Sequence, residues 1–397
     1  MCTRRIRRNG GFMHIKTSLR LASALLALAL PGAAIAAQGR LPPPLEEEVS
    51  DVAVMGAPGP HRLMLAGGFG SGGAQIRDGE DGKLLGTVSL GGLANIAYSP
   101  DQSRIYVAET IWTKGNRGTR QDMISVYDGR TLNLQEEISL PGRVFMVPRR
   151  TNFSISTDGA RAYMYNFDPS ASVNVVDLAS GDVHVVDIPG CAHAMAWGRT
   201  GFAVICGDGS IGSVDTAKAL ELTRSAAFFD AENDPLFEEA AIDPQAGKGV
   251  FLSYTGIIHE VSLGDAEQLA AWPIQEAAGL ELARPDDLQL AWRPGGGVVS
   301  AWHHASNLLF VLMHPGEHWT QKEKGTQLWV VDLTTREVVE RVPLKTPVTS
   351  VEVSQDAEPL LYLITEDGGL EVLNALDRSE KTSVSNVGSV VPVTPMP

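Results

Sequence analysis

One grammar recurs along this chain at intervals on the order of 40–50 residues. An apolar strand leads into a turn rich in Asp, Gly or Pro. A second apolar strand follows, then a strand ending in Val-x-Asp or a relative of it, another turn and a last strand. "ANIAYSPDQSRIYVAET" followed by "DMISVYDGRTLNLQEEISL" shows it most fully. "NFSISTDGARAYMYNF" with "SVNVVDLASGDVHVVDI" repeats it, as do the segment from Cys191 to "GSIGSVDTAKALELTRSAAF" and "EEAAIDPQAGKGVFLSYTGIIHEVSLGDAEQLAAW". "GVVSAWHHASNLLFVLMHP", an insertion and "TQLWVVDLTTREVVERVPL" form another copy, and "TSVEVSQDAEPLLYLITEDGGLEVLNALDRSEKTSV" the last. The anchor positions are Asp128, Asp177, Asp215, Ser262, Asp332 and Asn374, with an earlier partial copy anchored near Asp78.

A unit of four short strands cannot bury an apolar face alone, so stacked neighbours must supply the core. About seven such units predict an all-β fold, a seven-bladed β-propeller of four-stranded blades, over residues 59–397. The turns "SPDQ", "STDGA", "DGRT", "ASGD", "EDGG" and "GDGS" place Gly or Asp where hairpins need unusual backbone angles. Helical periodicity is nearly absent; residues 264–271 and 275–284 read as a short helix or a loop. A doubly wound α/β fold would need long helices between strands. The first copy lacks an inner strand, which either the tail "SVVPVTP" or the segment "VSDVAVM" would supply to close the ring.

The start of the chain reads differently. Arg4, Arg5, Arg7, Arg8, Lys16 and Arg20 precede the apolar run "LASALLALAL" and the small-residue stretch "PGAAIAA". That is the pattern of a cleaved signal peptide, residues 1–36, with Ala34-Ile35-Ala36 as the cleavage site. Met13 is an alternative start, since Met13 to Ala36 is already a complete signal. Residues 37–58 form a Pro-rich, then acidic arm. Loss of the six basic residues takes the formal charge from −15 to −21. So acidic a product excludes nucleic-acid binding, and the apolar run is too short to span a membrane. The acidity suits solubility, or a cationic ligand or basic partner.

Cleavage also removes Cys2, leaving Cys191 and Cys206 in an oxidising compartment. Two remaining cysteines there predict a disulfide between a strand start and the end of the next strand. The alternative is a pair of free buried thiols. A redox pair is disfavoured because the spacing is not Cys-x-x-Cys.

No catalytic constellation stands out: nucleophile elbow, Walker loop and haem-attachment motif are all missing. "GGFGSGG" at 67–73 is glycine-rich but opens no helix. His303, His304, His314 and His318, with Glu317, cluster only in sequence. Adjacent His303 and His304 point to opposite faces of a strand, so no metal site is expected. Asp286–Asp287 carries no specific acid/base signal. "WRPGGG" at 292–297 is either a blade entrance or a surface presenting Trp292 and Arg293 to a partner.

At this point a resemblance emerges. "RGTRQDMISVYDGRTL", "PGCAHAMAW…VICGDGS", "FLSYTGIIHEVSL", "WRPGG", "HHASNLLFVLMHP", "LWVVDLTTREVV" and "SQDAEPLLYLIT" occur in order from about residue 60 onward. The chain resembles the heavy (α) subunit of the quinoprotein amine dehydrogenases, which act on methylamine or aromatic amines. The resemblance implies a seven-bladed propeller, a Cys191–Cys206 disulfide, a periplasmic location and an α2β2 heterotetramer. It also implies that the light chain carries the cofactor, tryptophan tryptophylquinone, and the catalytic residues, so that this chain holds none. The complex would convert a primary amine to aldehyde and ammonia and pass electrons to an amicyanin- or azurin-like copper protein. The family's heavy chain lines the substrate channel with a bulky aromatic after a Gly-Gly pair. Here the pair is Gly91–Gly92 and the next residue is Leu93, a departure that bears on the amine accepted. "NDPLF" and "FVLMHP" lie closer to the aromatic-amine branch. The reading from another class is a stand-alone periplasmic propeller, a binding scaffold or lactonase-like hydrolase. It would need polar residues converging on the central tunnel.

Overall fold

The seven repeat anchors each close a third strand. Asp78, Asp128, Asp177, Asp215, Ser262, Asp332 and Asn374 are the final residues of Gly73–Asp78, Arg120–Asp128, Ser172–Asp177, Ile211–Asp215, Ile257–Ser262, Gly325–Asp332 and Leu370–Asn374. The reason is local. Asp128 Oδ1 accepts the amides of Arg130 and Thr131, Asp177 Oδ1 those of Ala179 and Ser180, and Asn374 Oδ1 those of Leu376 and Asp377. A short polar side chain folded over its own turn lets the chain reverse into the outer strand.

The structure, a computed structural model, describes residues 54–396 except 68–72, 93, 116, 145–146 and 285–289. The signal-peptide region, most of the arm, Leu93 and Asp286–Asp287 therefore lie outside the described residues. Among the described residues no helix is long and apolar enough to cross a membrane. The only α-helix among the described residues is the single turn Ile274–Ala277. Residues 267–273, expected partly as helix or loop, form an outer strand instead (Glu267–Pro273). There, alternate residues face solvent, the period of a strand.

All ladders between named strands are antiparallel. One sheet joins Ala94–Tyr98, Arg104–Trp112, Arg120–Asp128 and Leu134–Ser139. Another joins Cys191–Trp197, Gly201–Cys206, Ile211–Asp215 and Thr223–Arg224, and a further one Ala241–Asp243, Lys248–Leu252, Ile257–Ser262 and Glu267–Pro273. The sheet built on Arg161–Asp168 has five strands, because Arg143–Val144 and Phe153–Ile155 both pair with that strand. The first sheet takes its inner strand from the tail: Val390–Val393 pairs with Arg62–Gly67, Met64 opposite Val393. Of the two suppliers considered for that strand, the tail is the one used.

The expected seven separate sheets are not what the hydrogen bonds form. Five sheets are single blades, and the sixth is an eight-stranded sheet. Its unusual member is Glu337–Val353, seventeen residues long. The first part pairs with Gly325–Asp332 and the last part with Leu360–Thr365. The sequence explains the merger. "VPLKTPV" has no Gly, Asn or Asp to reverse the chain, and Pro343 and Pro347 hold an extended backbone.

Seven apolar clusters fill the spaces between neighbouring units among the described residues. One packs Tyr163, Val173, Val175 and Ile188 against Ala194, Phe202, Val204 and Val214. Another packs Leu63 and Leu65 against Tyr362, Ile364 and Val372, joining the start of the fold to its end. Fully buried side chains of this size each contribute roughly 1.5–3 kcal/mol. The fold is thus an all-β propeller of mainly four-stranded blades.

Candidate functional site

In an up-and-down sheet the turn between second and third strands shares an edge with the link from the outer strand to the next sheet. That edge carries Gly91 and Gly92, Phe167, the Cys191–Cys206 bridge, Phe228, Phe229, Tyr254 and Trp319. The opposite edge carries the Asx turns of the repeat.

Gly91 and Gly92 follow the outer strand Leu84–Ser89. The Gly91 amide donates to Glu109 Oε2 at 2.6 Å. A Cβ on Gly91 would lie 3.0 Å from Ile111 Cγ1 and 3.1 Å from Thr110 O, so the turn lies directly against the strand Arg104–Trp112. Gly92 has φ +132, a backbone that side-chain-bearing residues rarely adopt, and open space around its α-carbon. Glu109 is 2% exposed, and its Oε1 accepts the Ser125 hydroxyl at 2.6 Å.

Trp292 and Arg293 lie on Ala291–Pro294, paired with Leu308–Gly316. The Trp292 ring is half-buried, 5.7 Å from the buried Trp329. Arg293 turns inward: it is 2% exposed, with Nε donating to Gly316 O and Nη2 to Arg284 O. The more exposed aromatic is Trp319, 53% accessible, in the loop after Leu308–Gly316. Tyr254 meets it edge-on at 6.0 Å, and the His318 ring lies 4.4 Å away. Its φ of +65 is uncommon for a bulky residue. Sequence reading passed over Trp319 because a tryptophan in a loop has no periodicity to mark it.

Cys191 and Cys206 are bonded and sit opposite each other in register. The four histidines do not converge. His303 Nε2 meets Asp356 O, His304 Nε2 meets Ile242 O, His314 Nε2 meets Thr320 Oγ1, and the His318 ring meets Trp319 edge-on. Among the described residues no group of three or more His, Cys, Asp or Glu could hold a metal.

Along the axis lies a cavity of about 160 Å³. Seven chain segments line it, contributing Ile96, Phe153, Met195, Ile242, Trp302, Glu352 and Val393 among others. Arg150 is its main charged group. Nε pairs with Glu239 Oε2 at 3.3 Å, Nη1 with Glu352, and Nη2 donates to Ser300 O. Burial pushes the Glu239 carboxyl up, against the pull of Arg150. Burial opposes the Arg150 charge, but Glu352 and Glu239 outweigh it and hold the guanidinium pKa above its usual value. Nearby, burial drives the His193 imidazole down to about 4, with Arg149 adding to the effect. This cluster has no sequence signal, since its members come from different repeats.

A family model described as methylamine dehydrogenase heavy chain (MADH) matches residues 70–395, nearly the whole described fold. The chain belongs to that family. It is 30% identical to the methylamine dehydrogenase heavy chain of Paracoccus versutus, over 79% of this chain and 73% of that one. It is 29% identical to the heavy chain of Methylobacillus flagellatus, covering 78% of each. With that of Methylorubrum extorquens it shares 30%, over 79% and 76%. Among solved structures, dihydro-heme d1 dehydrogenase NirN in complex with DHE superposes with a TM-score of 0.50 at 14% identity, covering 86% of this chain and 76% of that chain. At that identity the likeness concerns the fold alone. Heavy-chain relatives place the family member described here in an amine dehydrogenase, an oxidoreductase.

Proposed function

We propose that this chain is the scaffold heavy subunit of a periplasmic tryptophan-tryptophylquinone amine dehydrogenase. It pairs with a light chain as an α2β2 heterotetramer, and the complex converts a primary amine, methylamine or an aromatic amine, to aldehyde and ammonia. The electrons pass to an amicyanin- or azurin-like copper protein. The observation that carries the reading is the heavy-chain match across residues 70–395, which also favours a subunit over a stand-alone scaffold or lactonase-like hydrolase. We place the propeller at residues 59–397 and regard the eight-stranded sheet as two blades sharing one long strand. Seven anchors, seven inter-unit clusters and seven cavity-lining segments support that count.

The quinone belongs on the light chain in this reading. Three tryptophans of this chain serve packing roles instead: Trp329 is buried against Trp292, Trp302 lies against His304, and Trp272 donates to Glu260. When bound, the quinone supplies the electron sink for amine oxidation. This chain's contribution is to seat the light chain and to wall the substrate path. Gly92 and Leu93 are assigned to that wall, and Trp292 and Trp319 to the light-chain interface. Arg293, facing inward, acts by bracing the strand beneath them. Residues 1–36 direct export and 37–58 form the arm.

The test is co-expression with a light chain, followed by dye reduction with methylamine, butylamine and benzylamine. Amine-dependent reduction by the co-purified complex, and none by this chain alone, is expected. A heavy chain that purifies alone in the presence of a competent light chain sinks the reading.

A further inference from the structure

Glu109 presents a problem that its own sheet does not explain. Its side chain sits in the interior, where an ionised carboxylate is costly unless hydrogen bonds compensate. The partners it has are a loop amide, Gly91 N–H at 2.6 Å, and a hydroxyl, Ser125 Oγ–H at 2.6 Å. Neither is a cation. Both bonds are short, as charge-assisted bonds to a carboxylate are. A serine on the neighbouring strand Arg120–Asp128 steadies one oxygen, and the other is spent on a turn outside the sheet.

Among the described residues, the Gly92 side of that turn has few other restraints. Gly92 lacks neighbours within 4 Å of a Cβ position, and both glycines are exposed. Glycine gives the unfolded and folded chain alike the widest choice of angles, so Gly91–Gly92 needs an external tether to hold one conformation. Gly91 is pressed against Ile111 and Thr110, and the Glu109 carboxylate holds it there. We propose that Glu109 is a positioning residue: it fixes the Gly91–Gly92 turn and thereby sets which amines the complex prefers. This rests on the assignment of that turn to the substrate path.

Three variants separate the possibilities. Glu109→Ala removes the tether. Glu109→Asp keeps the charge but is one methylene too short to reach the Gly91 amide. Glu109→Gln keeps an acceptor oxygen for Gly91, and its amide donates to the Ser125 hydroxyl after that rotor turns. Hydrogen exchange of the Gly91 amide in the full heavy chain needs no light chain. It should accelerate at least about tenfold in the Ala and Asp variants and stay close to wild type in the Gln variant, a tenfold change being about 1.4 kcal/mol. In the reconstituted complex, the ratio of kcat/KM for benzylamine to that for methylamine should shift about tenfold in the Ala and Asp variants, mostly through KM. The Gln variant should restore it. Unchanged exchange in both the Ala and Asp variants overturns the tether. Accelerated exchange with an unchanged amine ratio overturns the role in preference, as does a fall in kcat alone that tracks melting temperature. A wild-type complex that oxidises no amine instead overturns the underlying functional reading, and the exchange result stands apart from it.

Discussion

The Arg150 guanidinium grips the Glu352 carboxylate across the propeller axis, 202 positions away in sequence. With Glu239 and the Ser300 carbonyl, one side chain ties together segments from three separate sheets of the fold. Arg150→Met leaves the buried Glu352 and Glu239 carboxylates without the guanidinium that pairs with both. Removing one partner of a buried ionic cluster costs about 3–5 kcal/mol, whereas replacing all of it with apolar residues is often neutral. Urea unfolding should therefore show a large loss in Arg150→Met and recovery of most of it in Arg150→Met/Glu239→Leu/Glu352→Leu. A single variant within about 1 kcal/mol of wild type refutes the staple.

The Cys191–Cys206 bridge closes a loop with a sequence separation of 15. In the chain-entropy account, such a loop contributes about 3 kcal/mol. Cys191→Ser/Cys206→Ser should lower stability by that order, measured by denaturant midpoint under non-reducing conditions. The two thiols of the wild type should resist alkylation until a reductant is added.

His193 gives the fold a defined acid sensitivity. Its Nδ1 lies 3.0 Å from Asn152 Oδ1 and 3.2 Å from Thr151 Oγ1, and burial depresses its pKa to about 4. The unfolded chain takes up that proton near pH 6.5. The contribution is thus complete above about pH 6.5 and is lost as pH falls toward 4, to a total of roughly 3 kcal/mol. His259, also depressed to about 4 by burial, acts in the same window. His193→Asn tolerates the native φ of +75 and should flatten part of the melting-temperature decline between pH 6.5 and 4. An undiminished slope contradicts the assignment.

Trp319 combines exposure with an unfavourable backbone. Trp319→Gly relieves a positive φ at the cost of a few ring contacts, so the isolated heavy chain should melt within about 0.5 kcal/mol of wild type. If the residue seats a light chain, the same variant should weaken co-purification by tenfold or more. Unchanged co-purification of the folded variant is the contrary result.

The repeat was legible because its signals are local. An aspartate caps the turn two or three residues ahead of it, whatever the rest of the chain does, so Asp128 and Asp177 mark strand ends directly. The Cys191–Cys206 pairing was legible for a different reason: with Cys2 assigned to the signal peptide, only two cysteines remained to pair. The merger of two units through Glu337–Val353 was not, because hydrogen bonding across a register shift at Val348 depends on tertiary placement. Arg150, Glu239 and Glu352 were illegible too: they come from different copies of the repeat, and only ring closure brings them together. The inward turn of Arg293 had no sequence signal, since "WRPGGG" reads equally well as a blade entrance or as a surface presented to a partner.

Because Val390–Val393 supplies the inner strand beside Arg62–Gly67, the first sheet cannot be completed until that distant segment has emerged as well. Whatever folds early does so with an open seam, and its exposed strand edge waits for more than 300 residues of synthesis. A nascent chain stalled before Val390 would present that edge to any strand nearby, including the same edge on a second stalled copy.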